Sequence, residues 1–597
     1  MNGIELSQEQ LACVESDALA LVVVAGAGSG KTEIVARRIE RILEMDVAAE
    51  TKVLAVSYTV KAADELRDRL AARLGDVHRR ATTDTIHGFA HSILRQQGSN
   101  LGLPPEPEVL HRMEDRVAVL EDWLREAGMP IPDDSEATLR AIDLARARLE
   151  TAPFLDSWRS ALSARSAVDF AAMLDLAIEL LTDDWIASLF RRLYVHVIVD
   201  EAQNLTPVQY LFLKTLIGEP TTQRVATTFV GDERQSIIGF AGADRLLISK
   251  FAHEYHAERI ELRVNYRSAK SIIDLGRAVA FGLDLPSDAV PPTEFPANGE
   301  VSVAEYESEA REGEAVAEWI HGLLSQGLPE DALAPGESNS VRPEEIAVLA
   351  RVAAALTQVG RCLQASGLQV ATASTEDDWV SSSVAKIVVE SIAFRSADHH
   401  LTTRKRIELL SGTPENSSWT TLSEILGRSS VKDVPALVDV VEAKDAESLM
   451  GQLANLELED ENWASDLLVI QDAWAKFVDS CRHDEWTFGN LRQHILRTQR
   501  GDALAPGIRL HTIHKAQGRE FRAVAVVACN EGQFPDFRAT SSENRLEELR
   551  AFYVAVSRPS RVLRLTRPKF RTTKSGSRMQ SRSSFLEFVS QSAPPSD

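Results

Sequence analysis

A glycine-rich loop near the N-terminus has the residue types and the spacing that hold phosphate. The segment "AGAGSGKT" follows the apolar run "LALVVVA" and precedes the helix-like run "KTEIVARRI". Against the pattern G-x-x-x-x-G-K-[ST] it has alanine at the first position, a small residue that the turn accepts. Its glycines let backbone N–H groups approach phosphate oxygens at the positive end of the next helix. The loop therefore predicts a phosphate site made by Ala27, Gly28, Ser29, Gly30, Lys31 and Thr32.

The last two residues of this loop predict a particular chemistry. A lysine at position 31 bridges the β- and γ-phosphates, and the Thr32 hydroxyl ligates Mg²⁺. Such a site needs a carboxylate at the end of another buried strand, and "YVHVIVDEAQN" supplies Asp200 and Glu201 there. Asp200 fits the metal ligand, and Glu201 fits the base that orients the attacking water. The alternative for paired acids, a plain helix N-terminus, is disfavoured by the phosphate loop, so we predict an ATPase that uses ATP and Mg²⁺.

The elements around these residues alternate between strands and helices. Continuous apolar runs such as "KVLAVSY", "VHVIVDE" and "AVAVVAC" are each typical of a strand buried on both faces, and amphipathic helices follow several of them. This pattern predicts an α/β fold with two parallel-sheet cores, one before about residue 268 and one after about residue 300. With 597 residues, the chain is too long for a single core.

Two long stretches without strand runs interrupt the cores and are expected to be mostly helical insertions. The first holds "MEDRVAVLEDWLREAG", and the second holds most of the acidic material. We predict a first core at residues 1–88 and 189–268 with an insertion at 89–188, and a second core at 269–375 and 506–597 with a reduced acidic insertion at 376–505.

The "DEAQ" segment belongs to a series of motifs that runs in order along almost the whole chain. The others are "LSQEQLACV", "VLAVSYTVKAADELRDRL", "TIHGFA", "VGDERQSIIGFAGA", "LRVNYRS", "IRLHTIHKAQGREF" and "EELRAFYVAVSRPSR". Together they resemble the motifs of the UvrD/Rep/PcrA group of superfamily 1 DNA helicases. The resemblance implies two RecA-like cores with insertions, the 1A/1B/2A/2B architecture, and ATP hydrolysis between the cores that drives 3′ to 5′ movement along DNA.

The resemblance also implies roles for residues outside the phosphate loop. Gln10 is expected to read the adenine edge, Tyr266 to stack on the base and Glu520 to contact the ribose. Gln235 is expected to sense the γ-phosphate, with Arg267 and Arg558 as arginine fingers that neutralise charge on the transferred phosphoryl group. Single strands are held by phosphate contacts and by stacking on aromatic rings. The expected DNA contacts are Tyr58, Thr59, Thr85, His87, Phe240, Thr512 and His514.

This sequence departs from the family pattern at several positions outside the hydrolytic set. Ile238 replaces a stacking aromatic residue and Ala241 replaces a basic one, so the grip on the strand is expected to be weaker or altered. Gln517 stands where lysine is commonest, Arg519 where leucine is usual, and Glu33 where an arginine often lies near the base. ATPase activity is therefore a safer expectation than duplex unwinding.

Composition sets limits on location and partners. The net charge of −23 argues mildly against promiscuous nucleic-acid binding, but a global sum says nothing about a groove. The run from Arg558 to Arg582 is densely basic, so either solvated surface or a binding face remains open for it. Four scattered cysteines form neither a disulfide framework nor a CxxC metal site. With no apolar run long enough for a membrane span, we expect a reduced, cytoplasmic protein that has no membrane partner.

Three functions remain open from the sequence. The first is a translocase and helicase acting on single-stranded or tailed duplex DNA. The second is a nucleotide- and DNA-gated ATPase subunit that regulates a protein partner such as a nuclease, in DNA repair or anti-phage defence, through the acidic insertion at 376–505. The third is a P-loop ATPase that acts on something other than nucleic acid.

Overall fold

The protein is known from a computed structural model, and its residues are described in several ranges. These are 6–45, 51–104, 107–110, 113–221, 225–237, 239–283, 290, 292–372, 445–456, 471, 474–475, 477–478, 486–487, 490–491, 507–573 and 576–592. The acidic insertion predicted at 376–505 therefore lies outside the described residues except for short pieces, and nothing structural follows for it.

The strands of the described residues fall into two large sheets and one small one. In chain order they are β1 Ala20–Ala25, β2 Lys52–Ser57, β3 Ala81–Thr85, β4 Glu108–Val109, β5 Ala167–Val168, β6 Tyr194–Val199, β7 Ala226–Gly231, β8 Glu258–Leu262, β9 Glu300–Ser308, β10 Ile346–Ala350, β11 Val370–Thr372, β12 Ile508–Thr512, β13 Phe521–Val526, β14 Pro559–Thr573 and β15 Gly576–Met579.

Helices cover both faces of the large sheets. In the same ranges they are α1 Gln8–Glu15, α2 Lys31–Met45, α3 Val60–Leu74, α4 Ile86–Gln97, α5 Met113–Glu126, α6 Ser135–Arg148, α7 Leu155–Ala164, α8 Phe170–Leu181, α9 Asp184–Leu193, α10 Pro207–Ile217, α11 Leu247–Glu254, α12 Lys270–Gly282, α13 Glu309–Gln326, α14 Ala353–Ala365, α15 Ala446–Ala454, α16 Ser542–Val556 and α17 Glu587–Ser592.

The first sheet has the order β3-β2-β6-β7-β1-β8, and all of its described pairings are parallel. Its central strands are apolar on both faces because helices cover each side, and Val22 and Val23 of β1 are both buried. Parallel strands place their carboxyl ends at one edge of the sheet. The loops after these strands therefore meet along that edge, which we call the first-core edge.

The second sheet has the order β11-β12-β10-β13-β14-β15, with β9 also paired to β14. The pairings are parallel except for the antiparallel β14–β15 hairpin. Its central strand β10 is buried along its whole length. The prediction of an α/β fold with two parallel-sheet cores is thus confirmed.

The helices between β4 and β6 pack around a buried cluster of charges. Asp169 is 1% exposed and accepts hydrogen bonds from Arg116 at 3.1 Å, Arg146 at 3.1 Å and the Trp158 indole at 2.7 Å. Burial alone raises the pKa of this carboxyl, but the two guanidiniums outweigh burial and hold it below its usual range. The cluster joins α5, α6, α7 and α8 into one unit.

Several cations of the basic run near the C-terminus form ion pairs within the second core. Most of it is β14, which lies parallel to the acidic strand β9. Arg567 pairs with Glu305 at 3.1 Å, Lys569 with Glu307 at 2.7 Å, and Arg571 with Glu309, the first residue of α13, at 2.7 Å. These three cations neutralise carboxylates of the same core and so stabilise the pairing of β14 with β9 and the start of α13.

Among the described residues, no helix is long and apolar enough to cross a membrane.

Candidate nucleotide and nucleic-acid site

The phosphate loop lies at the first-core edge, between β1 and the N-terminus of α2. Gly28 and Gly30 have φ values of +74° and +85°, which glycine adopts without strain. A side chain at Gly28 would also come within 2.5 Å of the Asn265 side chain. Ser29 is fully buried and its hydroxyl donates to the Gly26 carbonyl at 2.8 Å. The loop is thus held as a compact turn that leads directly into the N-terminus of α2, the end of a helix that favours anions.

The paired carboxylates follow β6 at the same edge. The Lys31 ammonium lies 3.2 Å from the Glu201 carboxylate, so the end of the loop faces the acidic pair. Burial and the neighbouring Glu201 raise the pKa of Asp200 above its usual range. Burial acts in the same direction on Glu201, but Lys31 outweighs it and lowers the pKa of that carboxyl. The two acids therefore differ in basicity because only one of them touches the lysine.

The backbone and a neighbouring amide fix the position of Glu201. Its φ of +53° is in the left-handed region, which is uncommon for a residue with a side chain and is found at functional sites. The Gln203 amide donates to the Glu201 carboxylate, and its oxygen accepts the Asp232 backbone N–H at 3.0 Å. Gln203 thus links the loop after β6 to the loop after β7.

The donor set fits a nucleotide-bound magnesium ion. Mg²⁺ keeps several waters and is usually held by one or two carboxylates together with substrate phosphates. Thr32 and Asp200 offer a hydroxyl and a carboxylate beside the phosphate cradle, which is the kind of oxygen donor that Mg²⁺ prefers. Within the described ranges there is no cluster of three or more His, Cys, Asp or Glu side chains that would hold a metal without the phosphates.

The second core reaches the first at this cleft. Arg558, after α16, is 2% exposed and donates to the Gln235 side-chain oxygen at 3.1 Å. Burial and the nearby Arg267 lower the pKa of Arg558 to about 10, which leaves it charged at neutral pH. Arg267 itself donates to the Glu520 carboxylate and, at 2.9 Å, to the Ser557 carbonyl. One predicted finger therefore touches the predicted γ-phosphate sensor, and the other is paired with the predicted ribose contact.

The predicted base contacts border the phosphate loop. The Gln10 amide donates to the Ser29 carbonyl at 2.9 Å, and its oxygen accepts the Ser7 N–H at 3.0 Å in a capping box. Tyr266 is 40% exposed, and its backbone N–H donates to the Gly28 carbonyl at 3.0 Å. In this arrangement Gln10 braces the loop, and the Tyr266 ring remains accessible beside it.

Four of the predicted DNA contacts line one cavity of about 520 Å³ at the first-core edge, and the acidic pair lines it as well. The Thr59 hydroxyl accepts the Ala62 N–H at 3.2 Å and the Thr85 hydroxyl accepts the Gly88 N–H at 3.0 Å, so both cap helices. Tyr58 is 45% exposed. Burial lowers the pKa of His87 to about 4, so its ring is neutral at pH 7 and offers a stacking surface and a hydrogen bond.

The remaining predicted DNA contacts come from two other segments. Thr512 ends β12, and His514 follows it in the second core. Burial, aided by Arg351, lowers the pKa of His514 to about 4, while a hydrogen bond with the Ile237 backbone acts in the opposite direction. Phe240 lies in a short helical turn at Gly239–Ala241, but its side chain lies outside the described residues, as does all of Ile238.

The structure adds residues that the sequence did not single out. Phe170, the first residue of α8, is 47% exposed and lines the same cavity. Its ring meets His87 edge to face at 5.6 Å. The helical pattern of "DFAAMLDLAIELL" gives no sign of this contact, because it joins two segments far apart in the chain. Gln203 was likewise missed, although its place two residues after Glu201 was a usable signal.

Comparisons with known proteins cover both cores. Residues 6–256 match the family model described as the UvrD/REP helicase N-terminal domain, and residues 484–569 match the UvrD-like helicase C-terminal domain. DNA helicase II of Escherichia coli is 26% identical over 632 residues, which span 94% of this chain and 84% of that protein. DNA helicase II of Haemophilus influenzae is 25% identical, over 91% and 81% of the two chains. The ATP-dependent DNA helicase PcrA of Bacillus subtilis is 25% identical, over 95% and 83%.

Proposed function

This chain belongs to the UvrD/REP helicase family and is a DNA helicase, and we propose that it is a 3′ to 5′ single-stranded DNA translocase that hydrolyses ATP between its two cores. The observation that carries the proposal is the contact between Arg558 and Gln235 at 3.1 Å. It joins a guanidinium of the second core to the first-core edge, beside the phosphate loop. Hydrolysis that depends on this contact is sensitive to the relative position of the cores.

The ion pair between Lys31 and Glu201 supports a particular order of events. Bound Mg-ATP supplies the phosphoryl group whose transfer to water releases free energy. Lys31, whose ammonium lies 3.2 Å from the Glu201 carboxylate, would leave that carboxylate to hold the phosphates. Because Lys31 lowers the pKa of Glu201, loss of this cation makes the carboxylate a stronger base toward water. Nucleotide binding thus activates the base, while Gln203 holds its position.

The cavity lined by Tyr58, His87 and Phe170 supports the choice of a single strand as the track. Aromatic rings beside a groove bind bases by stacking, which is tolerant of sequence. The same cavity reaches Asp200 and Glu201, so a strand that enters it lies close to the hydrolytic residues. The subdomain limits given from the sequence, with cores at 1–88 plus 189–268 and 269–375 plus 506–597, are part of this proposal.

The first experiment measures ATP hydrolysis by the full chain with and without single-stranded DNA. We expect Lys31→Ala and Glu201→Gln each to abolish DNA-stimulated hydrolysis. Lys214 and Glu219 form a surface pair at 3.0 Å, so Lys214→Ala and Glu219→Gln are matched controls that should retain it. Activity unaffected by either site change would sink the assignment. Polarity is tested separately: a 3′ to 5′ motor displaces streptavidin from the 5′ end of an oligonucleotide and not from the 3′ end.

A second function, a DNA-gated ATPase subunit that regulates a partner such as a nuclease, is favoured by one feature. Ala241 lines the cavity at the position where the family usually has a basic residue, so position 241 offers no cation to the strand. A strand-displacement assay on the purified chain separates the two functions. Robust unwinding without a partner would count against a purely gating role.

A further inference from the structure

Arg267, one of the two predicted arginine fingers, has its peptide carbonyl held by a further arginine. The Arg561 Nη1 donates to the Arg267 carbonyl at 2.6 Å. Arg561 lies on β14, three positions after Arg558, and its side chain is 11% exposed. The bond therefore ties the backbone of one predicted finger to the strand that begins directly after the other.

The Arg561 guanidinium is itself held by its edge and by one face. Its Nε lies 3.1 Å from one oxygen of the Glu337 carboxylate, and its Nη2 lies 3.0 Å from the same oxygen. One face covers the Phe295 ring, with 3.7 Å between the guanidinium carbon and the ring centroid. A planar cation that binds a carboxylate by its edge and an aromatic ring by its face has little freedom left. The remaining nitrogen, Nη1, is therefore kept at the Arg267 carbonyl.

The residues that precede β9 support the same stretch of backbone. The Thr293 hydroxyl donates to the Ser268 carbonyl at 2.6 Å and accepts the Phe295 N–H at 3.0 Å. The Glu294 N–H donates to the Asn265 carbonyl at 2.9 Å. These bonds place the Phe295 ring, and the guanidinium stacked on it, beside the backbone of the predicted finger.

The phosphate loop holds the other side of the Arg267 backbone. Asn265 is 1% exposed, and its amide nitrogen donates to the Ala27 carbonyl at 2.6 Å while its amide oxygen accepts the Arg267 N–H at 2.9 Å. The N–H of Arg267 is thus placed by the first core and its carbonyl by Arg561 of the second. Because the two planar peptide groups that flank its Cα atom are both held, the point from which the Arg267 side chain starts is fixed as well.

A neighbouring arginine shares the carboxylate but bonds a different stretch of backbone. The Arg522 Nη2 donates to the Glu337 carboxylate at 2.9 Å, and Arg522 also donates to the carbonyls of Ser338 and Ser340. Its side chain is 17% exposed, similar to that of Arg561. Removal of Arg522 therefore measures the loss of a guanidinium from this carboxylate without the loss of the bond to the finger.

We propose that Arg561 is a positioning residue for ATP hydrolysis, which holds the Arg267 backbone where the finger can reach the transferred phosphoryl group. The inference rests on the proposed function, because it takes Arg267 to be an arginine finger. A misplacement of about 1 Å that is caused far from the reacting atoms can lower a rate about a hundredfold. Arg561 therefore contributes to kcat through Arg267, by fixing where that side chain begins.

The test compares Arg561→Gln with Arg522→Gln in the full chain, with ATP hydrolysis measured in the presence of a deoxythymidine homopolymer. We expect Arg561→Gln to lower kcat about a hundredfold and to leave KM for ATP within about threefold, because the finger acts mainly in the transition state. Arg522→Gln should keep both constants. Arg561→Lys, which can still donate to the Arg267 carbonyl, should give an intermediate kcat.

A second arm separates positioning from a general effect on the fold. Arg267→Ala should lower kcat by about 10³ or more, and the addition of Arg561→Gln should lower it no further, because the finger is already absent. A further fall of similar size in that background, or an unchanged kcat in Arg561→Gln alone, would overturn the positioning role. If Arg267→Ala hydrolyses ATP at the unmodified rate, the finger of the proposed function fails and the role of Arg561 fails with it, an outcome distinct from the other two.

Discussion

Arg558 donates to the side-chain oxygen of Gln235 at 3.1 Å, although 323 positions separate them in the chain. The contact crosses the cleft between the two cores and lies beside the phosphate loop. Four other predicted nucleotide-site residues form two ion pairs, Lys31 with Glu201 and Arg267 with Glu520. Under the proposed function, nucleotide binding exchanges these two ion pairs for contacts with phosphate, whereas the bond between Arg558 and Gln235 already joins the cores.

Arg558→Lys should lower kcat for DNA-stimulated ATP hydrolysis by about 10³ or more, the range for an arginine finger. A lysine keeps the charge but cannot span Gln235, the Val554 carbonyl and the Arg519 carbonyl together. KM for ATP should change far less, because the charge is needed mainly in the transition state. Arg564→Lys on β14, which removes a guanidinium bonded to Tyr306, is the control. A fall of less than tenfold would contradict the role.

The concentration of Mg²⁺ that hydrolysis requires should depend on pH, because Asp200 is the predicted metal ligand. Burial and Glu201 raise the pKa of this carboxyl, and a protonated carboxyl does not ligate Mg²⁺. The concentration of Mg²⁺ needed for half-maximal hydrolysis should therefore rise as pH falls from about 7 toward about 5, and excess Mg²⁺ should restore the rate. Asp200→Asn should show no such recovery. Asp134→Asn, which alters the cap of α6, should behave as the unmodified chain. If the Mg²⁺ requirement does not change with pH, Asp200 is not a ligand of the metal.

Phe170→Ala should weaken binding of single-stranded DNA by about 1–3 kcal/mol, the value of one stacked base. The ring is half exposed in the cavity and contacts His87, so it can stack without rearrangement. Fluorescence anisotropy with a labelled oligonucleotide measures the affinity, and hydrolysis without DNA should be unchanged. Trp185→Ala removes an aromatic ring that is 63% exposed on α9 and serves as control. If the two variants bind single-stranded DNA with equal affinity, Phe170 does not stack on a base.

Glu312 should make stability depend on pH. It is 3% exposed and accepts from the Ala528 N–H and the Thr566 hydroxyl, and burial raises its pKa to about 7. The folded state then holds this proton more tightly than the unfolded state. The stability that the proton contributes is complete below about pH 4.5 and is lost as pH rises through about 7.

At pH 8.5, Glu312→Gln should therefore raise the free energy of unfolding by up to about 3 kcal/mol, and the midpoint temperature should rise with it. At pH 5 the substitution should change both quantities little. Thermal unfolding at the two pH values measures the difference. Glu314→Gln, at a half-exposed carboxylate on the same helix, should show no such pH dependence. If the difference in stability between Glu312→Gln and the unmodified chain is the same at both pH values, ionisation of the buried carboxyl does not destabilise the fold.

The sequence was most informative where a few neighbouring residues carry the chemistry. The phosphate loop could be read from spacing, because a lysine and a threonine after glycines at a strand end have few other uses. Asp200 and Glu201 were readable for the same reason, since an apolar strand fixes where its last residues lie. The two α/β cores followed from continuous apolar runs, because strands buried on both faces need no polar alternation. The pairing of Phe170 with His87 had no such signal.

The sequence by itself determined the two cores, and it nominated the phosphate loop and the candidate hydrolytic side chains, because each depends on local order along the chain. Only the tertiary structure decided which of those side chains touch. Arg267 meets Glu520 across 253 positions, and Gln517 meets Asn204 across 313. Such pairs are set by how two sheets and their loops pack, and no spacing rule carries that information. The contacts between the two cores therefore belong to the fold, whereas the order of residues in the phosphate loop belongs to the sequence.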